Sequence, residues 1–295
     1  MTANKLSRYP EFHMSNTARF AVFGHPIEHS QSPFIHGQFS KQTGIALSYS
    51  AIDVTPEALP TALEAFAAGG GRGVNITLPL KEAAMACCVD MSSRARLAGA
   101  VNTLTWSSSG WMGDNTDGSG FMRDISDRVR EHIRGRRALL LGAGGAAHGV
   151  APALADSGVE ELIIVNRTPE RADKLVDAIG DPAHVHTRYW EALGDIGSFD
   201  LIINATSAGR DDAGIKLPFS LAGQRCIAYD LNYGEAAGSF LAWAKAAGAA
   251  HLYDGLGMLV EQAADAFEIW HGVRPDTDAV YDALRERGHS LHTGD

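Results

Sequence analysis

With 295 residues, 45% hydrophobic and 20% charged, and a formal net charge of −10, the chain has an ordinary α/β composition and sets aside a strongly basic nucleic-acid surface. The length suits about two domains, with core enough to need no disulfides or metals. Three cysteines, Cys87, Cys88 and Cys226, have no metal-ligand spacing and cannot pair completely, which fits a reducing cytoplasm. No stretch approaches the ~18 apolar residues of a membrane span. Residues 1–17 carry Lys5 and Arg8 but lack the apolar run of a signal peptide; they read as a disordered tail.

In chain order, Arg19–Gly24 is a short apolar run ending in glycine and predicts a buried strand. His25–Pro33 reads as a loop, and Phe34–Gln42 as a helix opening just after Pro33. Leu47–Val54 alternates as a strand does. Pro56–Ala68 sets Leu59, Leu63, Phe66 and Ala67 on one helical face, and Gly73–Thr77 is a third strand. This strand–helix alternation implies right-handed crossovers and mostly parallel pairing. Leu97–Thr105 and Trp111–Met112 read as extended segments about a Ser/Gly turn, and Gly118–Ile133 as a long helix. The pattern then restarts. Arg137–Leu141, Glu161–Asn166, Asp200–Asn204 and Cys226–Asn232 read as strands. Ala146–Ser157, Pro169–Ile179, Ser239–Ala247, Leu256–Trp270 and Thr277–Arg287 read as helices. The expectation is α/β with two domains: a first α/β block over 18–117, and a second, doubly wound parallel-sheet block of Rossmann type over 118–252. The long helix near 118–134 serves as the hinge. The five tryptophans, Trp106, Trp111, Trp190, Trp243 and Trp270, read as core or partly buried.

The strand Leu139–Leu141 runs directly into Gly142-Ala143-Gly144-Gly145-Ala146-Ala147, a G-x-G-x-x-A fingerprint between strand and helix. The first glycine permits the tight turn, the second lets backbone approach a pyrophosphate, and the small residue lets helix and strand pack. The N–H groups at the helix start favour the anion. The next strand ends in Asn166-Arg167-Thr168, with Arg171 beyond. No acidic side chain is there to bond a ribose 2′-hydroxyl, whereas two arginines suit a 2′-phosphate, so NADP is favoured over NAD. Thr168 can also cap the helix that opens at Pro169.

Six blocks occur in fixed order: Gly24-His-Pro-Ile-Glu-His-Ser30-Gln-Ser32-Pro33, Gly73-Val-Asn75-Ile-Thr77-Leu-Pro-Leu-Lys81, Gly99-Ala-Val-Asn102-Thr103, Gly113-Asp-Asn-Thr-Asp117-Gly, Asn204-Ala-Thr206-Ser207 and Asp254-Gly255-Leu-Gly257-Met258-Leu-Val-Glu-Gln262-Ala. With them the chain closely resembles the shikimate dehydrogenase family, from about Phe20 to Phe267. The resemblance implies a biosynthetic enzyme of the aromatic amino acid (chorismate) route that uses NADPH to reduce 3-dehydroshikimate to shikimate, reversibly. It also implies that the last helices, within 253–295, return to the first domain. Family members occur as monomers or homodimers.

A small ring with one carboxylate and three hydroxyls needs short polar groups on rigid elements. By resemblance Ser30 and Ser32 bind the carboxylate, and their spacing lets both face one way in an extended loop. Asn75, Thr77, Asn102 and Gln262 offer hydroxyl and amide groups to the ring, and Tyr233 lies near the substrate. Thr206, Ser207, Leu231 and Gly255 flank the nicotinamide half of the cofactor. Lys81 and Asp117, 36 residues apart, are the catalytic pair by resemblance. Oxidising an alcohol sends a hydride to the nicotinamide and a proton to the protein. A free lysine is a poor base at neutral pH; burial lowers its pKa and a nearby carboxylate raises it. Lys81 therefore has two readings, as proton-transfer group or as stabiliser of the developing alkoxide. Both stay open.

Two positions depart from the family pattern: His25 stands where asparagine is common, and Leu231 where methionine is common. No metal site is expected. Pro26 breaks a helical His25/His29 pair, and His184/His186 lack partners in a recognisable pattern. An NAD-dependent quinate/shikimate dehydrogenase would prefer an acidic residue near Thr168 and often threonine at position 32. A non-catalytic nucleotide sensor on the same fold would usually have lost the Lys81–Asp117 pair. Neither nucleic acid nor membrane is an expected partner.

Overall fold

A computed structural model describes residues 17–207 and 216–292. The first apolar runs become β1 (Ala18–Gly24), β2 (Leu47–Asp53) and β3 (Gly71–Ile76), joined through helices α1 (Ser32–Thr43) and α2 (Leu59–Ala68). There follow β4 (Cys88–Met91), α3 (Ser93–Ala98), β5 (Thr103–Ser107) and β6 (Gly110–Asp114). The six strands form one sheet in the order β2-β1-β3-β5-β6-β4. β1 pairs in parallel with β2 and β3, β4 in parallel with β6, and the β5–β6 hairpin closes on β3 antiparallel.

After α4 (Asp117–Arg123) come β7 (Arg137–Leu141), α5 (Gly145–Asp156), β8 (Glu161–Val165), α6 (Pro169–Ile179), β9 (Val185–Arg188), β10 (Phe199–Asn204), β11 (Ala222–Asp230), α7 (Glu235–Ala246) and β12 (His251–Tyr253). The strands pair in parallel throughout, in the order β12-β11-β10-β7-β8-β9. That is the doubly wound Rossmann order, whose crevice opens where the direction of winding changes, between the carboxyl ends of β7 and β10. Inner strands of a sheet covered on both faces carry unbroken apolar runs. Accordingly Leu139, Leu140 and Leu141 are fully buried, and so are Leu201, Ile202 and Ile203. Leu140→Ala should cost about 2–5 kcal/mol. Each kcal/mol should lower Tm by about 2–4 °C in a chain of this class, readable by thermal denaturation.

The final helices, α8 (Leu256–His271) and α9 (Asp278–His292), leave the second sheet. Val260, Ala264, Phe267, Val280 and Leu284 bury themselves with Ile35 and Phe39 of α1. Arg128 ties the same region together, reaching Asp124, Glu261, Thr277 and Asp278. Among the described residues no helix is long and apolar enough to cross a membrane.

Helix α4 is the crossing point, and its glycines set the spacing. A Cβ at Gly118 would lie 2.7 Å from the Gly149 carbonyl of α5, and one at Gly120 would lie 2.7 Å from the backbone N of Gln262 in α8. Three helices therefore approach to backbone contact around Asp117.

Two expectations are corrected. Gly118–Ile133 is not one long helix. The α-helical part ends at Arg123 and a π-helical turn runs from Asp124 to Arg128. Arg130 then takes a positive φ of 55°. Buried Asp124 accepts from Arg128 at the end of the turn and from Tyr229 outside it. Leu97–Thr105 is not extended throughout. Residues 93–98 are helical, capped by Ser92 Oγ on the Ala95 N–H at 3.2 Å and ended by left-handed Gly99. The short strands β4, β9 and β12 had no counterpart in the sequence reading. Trp111 and Trp243 are buried and Trp106, Trp190 and Trp270 half-buried, as expected. Residues 1–16 of the expected tail and 293–295 lie outside the described residues.

Candidate active site

At the carboxyl ends of β1 and β3 two loops run side by side. The Thr77 N–H donates to the Phe23 carbonyl (2.9 Å), and the His25 N–H to that of Leu78 (3.0 Å). Each loop holds a cis peptide, His25–Pro26 and Leu78–Pro79. His25 contacts Asp53 through Nδ1 at 2.6 Å. Ser32 opens α1, buried, and its N–H donates to Ser30 Oγ at 3.3 Å. The serines thus sit at a helix start whose first N–H groups suit an anion.

Lys81 follows the second loop, and Asp117 is the first residue of α4. Lys81 Nζ lies 2.5 Å from Asp117 Oδ2, with side chains only 14% and 4% exposed. Asn102 Nδ2 donates to Asp117 Oδ1 (2.9 Å) and Thr116 Oγ1 (2.9 Å), and reaches Gln262 Oε1 at 3.3 Å. Asn102 Oδ1 in turn accepts from the Thr116 N–H and the Thr103 hydroxyl, both 2.9 Å. The carboxylate is therefore held at both oxygens. Asn75 is turned inward: it accepts from Tyr49 (2.7 Å) and donates to the Asn102 carbonyl and Thr103 Oγ1. Beside it, His36 is fully buried and stacked on Tyr49 at 4.2 Å. Desolvation brings the His36 pKa down to about 3, which keeps it neutral.

On the second sheet, Gly142 has φ +107°, a region that favours glycine, and a Cβ there would lie 2.9 Å from the Ala205 carbonyl. The Ala143 N–H donates to Asn166 Oδ1 at 3.1 Å. Gly144 is the N-cap of α5, and Ala146 lies in its first turn. Gly145 faces Lys81: a Cβ at 145 would lie 3.1 Å from Lys81 Cβ. The glycine turn thus rests directly on the lysine. This cradle fits a pyrophosphate, and the absence of a carboxylate in Asn166-Arg167-Thr168 fits a 2′-phosphate.

Arg167 and Thr168 are exposed. Arg171 reaches Glu82, next to Lys81, at 2.8 Å. Thr168 occupies the N-cap of α6 but makes no side-chain cap bond, which corrects the capping expectation. Asn166 Nδ2 instead holds the Thr168 carbonyl at 2.9 Å. Thr206 and Leu231 are half-buried beyond β10 and β11, and Ser207 is exposed. Gly255 is buried, and its N–H donates to the Asn232 carbonyl at 2.8 Å. Tyr233 packs, partly buried, against the α1–α8 core.

The structure therefore gathers Lys81, Asp117, Asn102, Asn75 and Gln262 into one network with Gly145 against it. Ser30 and Thr77 lie in the adjoining loops, and Ser32, the first residue of α1, joins the network through its side-chain hydrogen bond with Tyr49. Sequence reasoning missed Tyr49 and Thr116, whose partners Asn75, Asn102 and Gln262 are remote in sequence, and Thr103, which bonds its neighbour Asn102. It also missed Asp230 and Asn232 at the rim of β11. Adjacency to Leu231 was the available signal for these two.

Three family models match in succession: the shikimate dehydrogenase substrate binding domain over residues 22–104, shikimate / quinate 5-dehydrogenase over 124–211, and the shikimate 5′-dehydrogenase C-terminal domain over 255–285. A relative named shikimate dehydrogenase (NADP(+)) from Xanthomonas campestris pv. campestris strain 8004 is 59% identical over 94% of this chain and 99% of its own. One of the same name from Stenotrophomonas maltophilia is 59% identical over 92% and 96%. The crystal structure of shikimate 5-dehydrogenase from Thermus thermophilus in complex with NADP(H) and shikimate superposes with a TM-score of 0.79. It is 36% identical, covering 92% of this chain and 99% of that one. At 59% identity over 94% of its length, and with family models matching in succession along it, the chain belongs to the shikimate dehydrogenase family.

Proposed function

We propose that this protein is an NADP-dependent shikimate dehydrogenase of aromatic amino acid biosynthesis, interconverting 3-dehydroshikimate and shikimate. The observation that carries the reading is the Lys81–Asp117 pair lodged directly under Gly145 of the glycine cradle. When bound, NADPH supplies the hydride. Lys81 Nζ addresses the reacting oxygen, and Asp117, fixed by Asn102, orients the ammonium and takes a ring hydroxyl. Ser30 and Ser32, at the start of α1, hold the carboxylate. Thr77, Asn102, Gln262 and Tyr233 line the ring, and Asn75 serves by backing Asn102. Gly142, Ala143, Gly144, Gly145 and Ala146 cradle the pyrophosphate. Asn166, Arg167, Thr168 and Arg171 receive the adenosine end. Thr206, Ser207, Leu231 and Gly255 border the nicotinamide.

In this reading residues 18–117 with the helices of 253–295 form the substrate domain, and 118–252 the cofactor domain. The enzyme works in the cytoplasm as a monomer or homodimer, without nucleic acid or membrane as partner. Closure of the cleft about the hinge accompanies binding.

The test is spectrophotometric. Protein with shikimate and NADP should reduce the cofactor, with quinate and NAD as crossed controls. Comparable turnover of quinate with NAD would move the protein to the catabolic branch. Cofactor binding without turnover of any pair would make it a sensor. Arg167→Ala should raise KM for NADP at least tenfold and leave KM for NAD nearly unchanged. Equal losses would remove Arg167 from the 2′-phosphate.

A further inference from the structure

At the carboxyl ends of β10 and β11 four residues close a ring of hydrogen bonds. Asn204 Nδ2 donates to Asp230 Oδ2 at 2.9 Å. Asn204 Oδ1 accepts from the Thr206 N–H (3.1 Å) and hydroxyl (2.7 Å). Asn232 Nδ2 donates to the Thr206 carbonyl (2.9 Å) and to Asp230 Oδ1 (2.8 Å), and the Asn232 N–H also donates to Asp230 Oδ1 (2.8 Å). Two further bonds leave the ring: the Leu231 N–H donates to the Asn204 carbonyl, and the Gly255 N–H to the Asn232 carbonyl. Thr206, Leu231 and Gly255 are residues assigned above to the nicotinamide border. A single closed circuit therefore fixes three separate segments of that border.

Asp230 and Asn204 are both fully buried. Among the described residues the donors to Asp230 are two amides and one backbone N–H, and none is a cation. Burying a carboxylate without a cation is unfavourable, and an asparagine of the same shape would be easier to bury. Burial pushes the Asp230 pKa up to about 6, and Asp254, itself paired with Arg285, pushes the same way. What the carboxylate offers is acceptor chemistry at both oxygens. N–H groups converge on it from two sides, and an amide would turn a donor toward one of them.

We propose that Asp230 is a positioning residue for hydride transfer: its carboxylate, through Asn204 and Asn232, sets the Thr206 loop and the Leu231 and Gly255 backbone against the nicotinamide. The inference rests on the NADP-dependent reading above. It does not require Asp230 to touch substrate or cofactor.

The experiment compares wild type, Asp230→Asn, Asn204→Asp and the double variant with shikimate and NADP. Each is also titrated with adenosine 2′,5′-bisphosphate, which carries the adenosine end of the cofactor and no nicotinamide. In Asp230→Asn the amide at 230 opposes the Asn204 amide, donor to donor. In the double variant the polarity of that bond is reversed and every bond of the ring has a donor and an acceptor again. Each single substitution should lower kcat at least tenfold, with bisphosphate Kd within twofold of wild type. The double variant should recover to within about threefold of wild-type kcat, as coupled neighbours do in a double-mutant cycle. Asn232→Ser, at a half-buried position, opens the ring at another point and should lower kcat severalfold, which keeps the idea testable if a buried single variant does not fold. Wild-type kcat in Asp230→Asn, a double variant no better than the singles, or loss of bisphosphate binding in step with kcat would each overturn the proposal. Absence of turnover by the wild type would instead remove the functional reading, and this role with it.

Discussion

Lys81→Ala is expected to lower kcat by about 10²–10⁴-fold, the range of a positioned proton-transfer group, while the Kd for shikimate moves little. The expectation follows from how little else is near the reacting oxygen in this reading. Lys81 is 14% exposed, lies under Gly145, and is held on one side by an Asp117 whose second oxygen is occupied by Asn102. Steady-state kinetics and calorimetric titration read the two quantities separately. Unchanged kcat with a raised KM would make Lys81 a binding residue. Lys81→Arg then separates the two chemical readings. An arginine keeps its charge and does not give up its proton in proteins. If Lys81→Arg retains much of the activity lost in Lys81→Ala, stabilisation of the alkoxide dominates. If it is as impaired as Lys81→Ala, proton transfer does.

Gly149→Ala should be nearly as damaging, although residue 149 carries no chemistry. A Cβ there would lie 2.6 Å from Asp117 Cβ and 2.7 Å from its Oδ2. Real Cβ atoms do not tolerate such distances, so α4 and α5 must separate or Asp117 must turn. Overpacking of this kind costs about 1–3 kcal/mol of stability. The larger effect falls on rate, because a shift of about 1 Å in a catalytic group can lower it about 10²-fold. Thermal denaturation and kcat measured on the same sample test this. Near-normal kcat with a lowered Tm would mean that the helices give way without moving the carboxylate. Ala153→Gly, which adds no atom to the same crossing, should leave Asp117 in place and serves as the comparison.

The sequence made the second sheet legible because its inner strands are uniformly apolar and its first turn carries glycines in the strand–turn–helix spacing of a phosphate cradle. The edge strands escaped because they are short and polar. Val185–Arg188 and His251–Tyr253 have no alternation of their own and exist through pairing with β8 and β11. The helix at 93–98 has two arginines and too few turns for a period to emerge. The stop at Arg123 is set by Tyr229 and Glu261, more than a hundred residues on, and no local signal announces it. In the site the same division holds. Lys81, Asp117 and Asn102 were nameable as residue types within motifs, but which oxygen each one holds depends on the fold. The ring at Asp230 joins atoms 26 residues apart across two strands, so its logic is visible only once β10 and β11 are paired.

The return of α8 and α9 to α1 has a consequence for how the chain is made. Ile35 and Phe39 leave the ribosome more than two hundred residues ahead of their cover, Val260, Phe267, Val280 and Leu284. At about 5–20 residues per second this interval is roughly ten to fifty seconds. Throughout it the first sheet waits with one apolar helix face unfinished, while the strands of the second sheet are made and are complete at Tyr253, before α8. A chain released before α8 would carry all six strands of the second sheet beside a half that cannot complete its core.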